Sequence, residues 1–433
     1  MKITIFIIVL SILSITINII NYDLFLFSLS IIWYLTSILI IYSGIKYSLK
    51  YKFIQLNIKK IISAIKSKSN NNIHPLSSLC ISLAAKIGVG SLSGIALAIH
   101  FGGLGTIFWI MVISLIVAIN TYIECILGIK YRQRENHNYL GGPSYYIKKC
   151  LNNKTLSYLY SILIIITYSV LFLSIQTNTI VSTVSYFNIK TSYIVIILFI
   201  ITLLIIIKGL KGISTINTIV VPVMLLFYFI LGIYITFIKF DSLPTIFMSV
   251  IQSAFNIKNI IPVFLIGMQR AIFITESSLG TSAIAASTCD NNPNKQGMLE
   301  VLGIYITIFI VCITTFLIIV TSDYQTVNYQ ITNGIDLVLY AFNYHFGNIG
   351  TVFLSIITIL FAFSTIISSY YFGESNLQFF TNKKIIKLIF IIIFLSVIIA
   401  SAYIKATFLW NLTDYFIAIL AIINIYSILK IVK

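Results

Sequence analysis

Apolar runs long enough to cross a lipid bilayer recur along the whole chain, and this constrains the fold more than any other feature. Charged residues punctuate eleven such runs, at 24–44, 78–100, 104–129, 155–187, 191–207, 213–238, 259–285, 299–321, 349–373, 388–404 and 406–429. A helix crosses a hydrocarbon core of about 30 Å in roughly 20 residues. Only helices and closed barrels satisfy their backbone groups in lipid, and these runs lack the period-two alternation of barrel strands. The expected fold is an all-α membrane protein of about eleven transmembrane helices. With 59% hydrophobic and 9% charged residues and a mean hydropathy of +1.03, no sizeable soluble domain is left over. Residues 3–20 are also apolar, set off from the first run by "NYD". They read as a twelfth helix, an interfacial segment, an extension of the first span or a signal peptide.

The net charge of +17 would suit nucleic acid only if it were gathered into one patch, and it is not. If residues 45–77 are cytoplasmic, strict alternation puts 21 of the 28 Lys and Arg on that side and four (Lys190, Lys239, Lys258, Lys405) on the other. This positive-inside pattern sets the expected orientation in the plasma membrane, with 45–77 and the C-terminus cytoplasmic. Lysine outnumbers arginine 25 to 3 and isoleucine and asparagine are abundant, as drift toward AT-rich codons would produce. The five cysteines, at 80, 125, 150, 289 and 312, show no paired spacing and imply neither disulfides nor a transition-metal site.

Two runs are interrupted in a way that costs helix stability. "KIGVGSLSGIALAI" at 86–99 places Gly88, Gly90 and Ser91 near the middle of the second span, where each glycine costs a continuous helix about 1 kcal/mol relative to alanine. "GMQRAIFITESSLGTSAIAAST" at 267–288 carries Arg270, Glu276, two glycines and a cluster of hydroxyls in the seventh. The breaks lie about 190 residues apart, and each heads a group of five spans. Five is odd, so the two groups have opposite orientations. Paired interrupted helices in two inverted halves point to the central site of a secondary transporter. The organisation expected is a peripheral N-terminal segment and basic linker over 1–77, then a core over 78–433 with repeat one at about 78–238 and repeat two at about 247–433. Close packing through small residues, as in the Gly90–Gly94 and Ser282–Ala286 pairs, is the competing explanation of both stretches.

Five motifs in order, spanning about 80 to 375, resemble the alanine or glycine:cation symporter family. They are "LAAKIGVGSLSGIALAIHFGGLGTIFW", "YIECILGIKYR", "GGPSYYIKK", "RAIFITESSLGTSAIAAS" and "FAFSTIISSYYFGE". The resemblance implies a leucine-transporter type of fold, a 5+5 inverted repeat with broken first and sixth core helices, plus one peripheral helix. It further implies a small neutral amino acid such as alanine or glycine as substrate and sodium as coupling ion, with no other cofactor. The sequence departs from the family pattern at Val89, Ser91, Thr275 and Ser369, which stand where the family has Thr, Asn, Asn and Trp.

Candidate site residues follow from the breaks and the resemblance together. Gly88, Gly90 and Ser91 would hold a substrate carboxylate through backbone N–H groups of an unwound segment. Gln176 in "LSIQTNTI" matches a family Gln and reads equally as a substrate contact or an interhelical hydrogen bond. Phe273 is a core residue or an aromatic cover for a small substrate, and Gly280 and Ser282 mark the second unwinding. By the resemblance, sodium would take the hydroxyls of Ser364 and Thr365 and the carbonyls of Ala84 and Ile87, unless those hydroxyls bond back to their own helix. The charges Lys86, Glu124, Arg270, Glu276 and Glu374, lying in or beside spans, are functional candidates by default. Arg270 and Glu276 are six apart, about 240° around a helix, so each is expected to bond elsewhere. Glu124 and Glu374 are expected to snorkel or to bond small-residue backbone. "GGPSYYIKK" reads as a turn with interfacial tyrosines, with a part in closing the inner path as the alternative.

An intramembrane enzyme is the competing class. None of the four histidines (His74, His100, His137, His345) lies deep in a span, and HExxH and GxSxG are absent. An uncoupled facilitator of the same fold is the nearer rival.

Overall fold

The computed structural model describes residues 22–67, 73–135, 138–326 and 334–432. The chain opens with α1 (Tyr22–Lys50) and a short helix α2 (Ile58–Ile65). Helices α3 (Pro75–Lys86) and α4 (Ser93–Gly102) form one span, bent by 54° at its break. His74 caps α3 and Pro75 opens it, where a missing N–H costs nothing. Then come α5 (Gly105–Lys130), a hairpin of β1 (Gln133–Glu135) and β2 (Asn138–Leu140), and α6 (Pro143–Cys150). Three helices follow: α7 (Lys154–Ser185), α8 (Thr191–Ile206) and α9 (Gly209–Ile238). After α10 (Leu243–Ala254) the second broken pair is α11 (Ile260–Thr275) and α12 (Thr281–Ala286). The chain closes with α13 (Pro293–Val320), α14 (Ile335–Gln378), α15 (Lys384–Ser401) and α16 (Ala406–Ile431).

Among the described residues, eight helices are long and apolar enough to span a bilayer. The bent α3–α4 pair and the shorter apolar helices α8 and α11 account for the remaining expected spans. The two breaks each head five apolar segments, the pattern expected of an inverted pair. Residues 3–20 lie outside the described residues.

Several elements were not expected. The span expected at 349–373 is the second part of α14, which begins at Ile335 and kinks at Gly347, where φ is +60°. The first part contains "NYHFGN", too polar to be read as a span. Helix α10 is short, and only Val250 and Ala254 of its residues are buried. It covers the start of α5: Gly105 N–H donates to Ser253 Oγ (2.9 Å), and the Trp109 indole donates to the Ala254 carbonyl (3.2 Å). Helix α2 buries Ile61 and Ala64 against α13 and leaves Ile58 and Ile62 exposed beside Lys59 and Lys60.

The core runs along α5, which packs against α11, α12 and α13, while α7 packs against the second part of α14. These two groups enclose the first break between them.

Candidate functional site

The first break is a short bridge and not a fully open coil. Gly88 takes an extended conformation, and Val89–Ser91 form one turn of 3-10 helix before α4 begins. Ser91 spends both its N–H (3.1 Å) and its hydroxyl (2.8 Å) on the Gly88 carbonyl. The Val89 N–H points out of the turn, and the Gln176 side-chain oxygen on α7 accepts it at 3.1 Å. A Cβ placed on Gly88 would lie 2.5 Å from Thr365 Oγ1 and 3.0 Å from Gln176 Nε2. Glycine is therefore required by the approach of two polar side chains from α7 and α14.

On the α14 side, Thr365 Oγ1 lies 2.8 Å from the Ala84 carbonyl and 2.9 Å from the Phe361 carbonyl. Its single proton can serve either acceptor. Turned toward Phe361, it leaves the hydroxyl oxygen and the Ala84 carbonyl oxygen 2.8 Å apart with no proton between them. Ser364 donates to Phe361 O (2.9 Å), the back-bonding alternative. Ile87 is fully buried at the start of the break.

The second break begins at Glu276, which takes the left-handed conformation (φ +50°) and ends α11. Ser278 (φ +71°) and Gly280 (φ +89°) repeat it before α12 starts. At Gly280 a Cβ would run into Pro143, so α6 sits directly on this break. One turn before the break, Phe273 closes over the first: a Cβ on Gly90 would be 2.7 Å from two of its ring carbons. The ring stacks on Phe172 at 4.8 Å with 13° between planes, and Trp410 lies 4.8 Å away on α16. Phe172 in turn stacks on Tyr168 at 4.5 Å. Both belong to a π-helical turn of α7, Thr167–Phe172, an irregularity often found at functional sites.

Two buried ion pairs flank the breaks. Arg270 bonds Asp414 on α16, as the expectation of a partner outside its own helix required, and its guanidinium lies 5.4 Å from the Phe273 ring centre and 5.1 Å from that of Trp410. This pair and Trp410 help to line a cavity of about 370 Å³. On the other side of the breaks, Lys86 bonds Glu300 of α13 at 2.8 Å, and both side chains are completely buried. Ser282 lies here, 3.5 Å from Ser82 Oγ, and not with Gln176 and Phe273.

The remaining charges are held by other means. Glu276 accepts from Thr281 Oγ1 (2.8 Å) across the second break. Glu124 does not snorkel: it is fully buried and accepts from Asn424 Nδ2 at 2.8 Å. Asn424 also donates to the Ser278 carbonyl (2.9 Å) and bonds Tyr146, so the expectation of interfacial tyrosines in "GGPSYYIKK" is overturned. Tyr145 and Tyr146 are buried because α6 packs inward against α5, α7 and α16. Glu374 is buried but pairs with Lys387, which is itself half-buried.

The structure thus gathers Gly88, Gly90, Gln176, Phe273, Thr365 and Ala84 around the first break, and sets Gly280 and Ser282 apart at the second. Glu300 and Asp414 are the partners that reading the sequence overlooked. Each is an acid inside an apolar run, at 299–321 and 406–429, and the default that singled out Lys86 and Arg270 applies equally to them.

Comparisons with known proteins agree over nearly the whole chain. The profile of the sodium:alanine symporter family matches residues 19–433. The amino-acid carrier protein AlsT of Bacillus subtilis is 29% identical over 411 residues, covering 92% of this chain and 87% of its own. A probable sodium/glutamine symporter, GlnT, of the same organism is 29% identical over 409 residues, 92% and 85% of the two chains. The sodium/alanine symporter AgcS of Methanococcus maripaludis is 27% identical over 411 residues, covering 90% of each.

Proposed function

The chain belongs to the sodium:alanine symporter family, and from that premise we propose that it imports a small neutral amino acid, alanine or glycine, by symport with sodium across the plasma membrane. The observation that carries this reading is the meeting of both breaks at one place: Phe273, three residues before the second, lies on Gly90 in the first. The site sits between repeat one (78–238) and repeat two (247–433), where alternating access needs it.

In this reading the substrate carboxylate takes the N–H of Val89 and its neighbours at Gly88 and Gly90, with the Gln176 amide moving from backbone to substrate. The Phe273 ring covers the substrate's side chain. Its contact with Gly90 leaves little depth, which favours alanine or glycine over the glutamine carried in GlnT's name. Sodium takes the Ala84 carbonyl and the Thr365 hydroxyl, with Ile87 O and Ser364 completing the set. Thr365 suits this role because Phe361 can hold its proton while its lone pairs face the cation.

The lysine-rich end, with 45–77 and the C-terminus, faces the cytoplasm by the positive-inside rule. The Arg270–Asp414 pair then lies on the outer path to the site.

The test is uptake of labelled alanine into proteoliposomes with and without an inward sodium gradient. Accumulation above equilibrium only with the gradient supports symport. Equilibration regardless of sodium makes the chain a facilitator. A competition series including glycine and glutamine identifies the substrate.

A further inference from the structure

One face of α3 is polar although the helix is almost entirely buried. Ser78, Ser82 and Lys86 recur at four-residue spacing and so form a single stripe. Against it stand Ser282 and the Ala285 carbonyl of α12, and Gln296 and Glu300 of α13, themselves four apart. Ser78 Oγ donates to Ala285 O at 2.7 Å, and Gln296 Nε2 reaches Ser78 Oγ and Pro75 O at 3.4 Å. Ser82 donates to Glu300 Oε2 at 2.6 Å and accepts from Lys86, which bonds the same carboxylate oxygen at 2.8 Å. The other oxygen, Glu300 Oε1, is buried beside Ser282.

A permanent helix contact would be built differently. Apolar residues of the same volume usually hold two elements together at least as well as a buried ion pair. A charged stripe has a different property: when the seam opens into water, each group it exposes is solvated, so separation is less costly than exposing an apolar face. Closed, the same pair is specific, because removing one partner strands the other.

We propose that Glu300 is a positioning residue for transport: with Lys86 it locks α3 against α13 and α12 at the lysine-rich end, and the pair parts each time substrate leaves on that side. The inference rests on the symporter reading above, but its test does not require transport.

One of the chain's own cysteines reports on the seam: Cys289, just after α12, is buried and its thiol lies against the Ser78 hydroxyl. In inside-out vesicles treated with a membrane-impermeant maleimide, Glu300→Gln and Lys86→Met are expected to label Cys289 roughly tenfold faster than the unaltered protein, as a shifted closed-to-open equilibrium requires. The Lys86→Met/Glu300→Leu double variant, which keeps the volume and strands no charge, is expected to do the opposite. Its apolar seam protects Cys289 more than the original does, and it transports poorly while still binding labelled alanine. If the single variants fail to fold, this double variant still decides the matter. Labelling and transport by the double variant at the original rates would overturn the proposal, as would unchanged Cys289 labelling in folded Glu300→Gln. Faster labelling of Glu300→Gln, where the unaltered protein moves no amino acid, would uphold the lock and reject the symporter reading instead.

Discussion

Phe273 sets one edge of its ring, Cδ1 and Cε1, against Gly90, so that the aromatic ring before one break fills the space where any other residue at the centre of the other would put its side chain. The ring is held there by Phe172 on one side and Trp410 on the other, each with centres 4.8 Å away. It cannot yield freely, although a side-chain contact is usually the easier kind to relieve.

Gly90→Ala is therefore expected to lower alanine uptake by about tenfold or more, because overpacking of about 1–3 kcal/mol falls on the site itself. Expression and helical content should stay near the original. The check is the pair Gly90→Ala/Phe273→Leu, which should regain part of the uptake; a double variant no better than the single would mean that Gly90 matters for its backbone alone.

Gln176 holds the Val89 N–H from a neighbouring helix at 3.1 Å, with both groups buried. Gln176→Ala leaves that N–H without a partner, at a cost of about 1–3 kcal/mol. If the amide also serves the substrate, the apparent KM for alanine should rise more than Vmax falls. A variant with lowered thermal stability but unchanged KM would leave Gln176 as an interhelical bond only.

How far the sequence revealed this arrangement depended on what kind of signal each part left. Helices announce themselves in a bilayer because apolar length is a physical requirement, so α1, α5, α7, α9 and α16 lie where the charges delimit them. The breaks were visible because glycine and serine at mid-depth have a known energetic cost, and Gly88 and Gly90 prove to be positions where a Cβ has no room. Partners were harder to see. Lys86 and Glu300 are 214 residues apart, and nothing in local pattern joins them. Tyr145 and Tyr146 misled because a tyrosine beside a loop reads as interfacial, while its burial depends on α6 folding inward. Ser282 looked like part of the Gly88 site because both mark a break, yet the facing of α12 carries it to Ser82.

Thr365 touches the Ala84 carbonyl from another helix while keeping a second acceptor in its own. Thr365→Val keeps the shape and removes the oxygen. Sodium activation of uptake should weaken, with the sodium concentration for half-maximal rate rising about tenfold or more, the loss of about 1.4 kcal/mol or more of cation binding. Thr365→Ser should stay close to the original. Equal sodium curves for Thr and Val would remove this residue from the cation site.

Arg270 and Asp414 present a different trade, because the pair is buried yet borders a cavity. Arg270 Nη1 and Asp414 Oδ1 have no hydrogen-bond partner among the described residues. Asp414→Asn strands a guanidinium whose remaining support is the faces of Phe273 and Trp410, within the reach of a cation–π contact. Breaking one side of a buried pair costs about 3–5 kcal/mol, which in a marginally stable membrane bundle should appear as a lower melting temperature in detergent. Replacing both, as Arg270→Met/Asp414→Leu, should restore most of the stability because no charge is left uncompensated. If the pair also gates the outer path, the double variant will be stable and bind alanine, but uptake will not return with stability. Recovery of both together would show that Arg270 and Asp414 only hold α11 to α16.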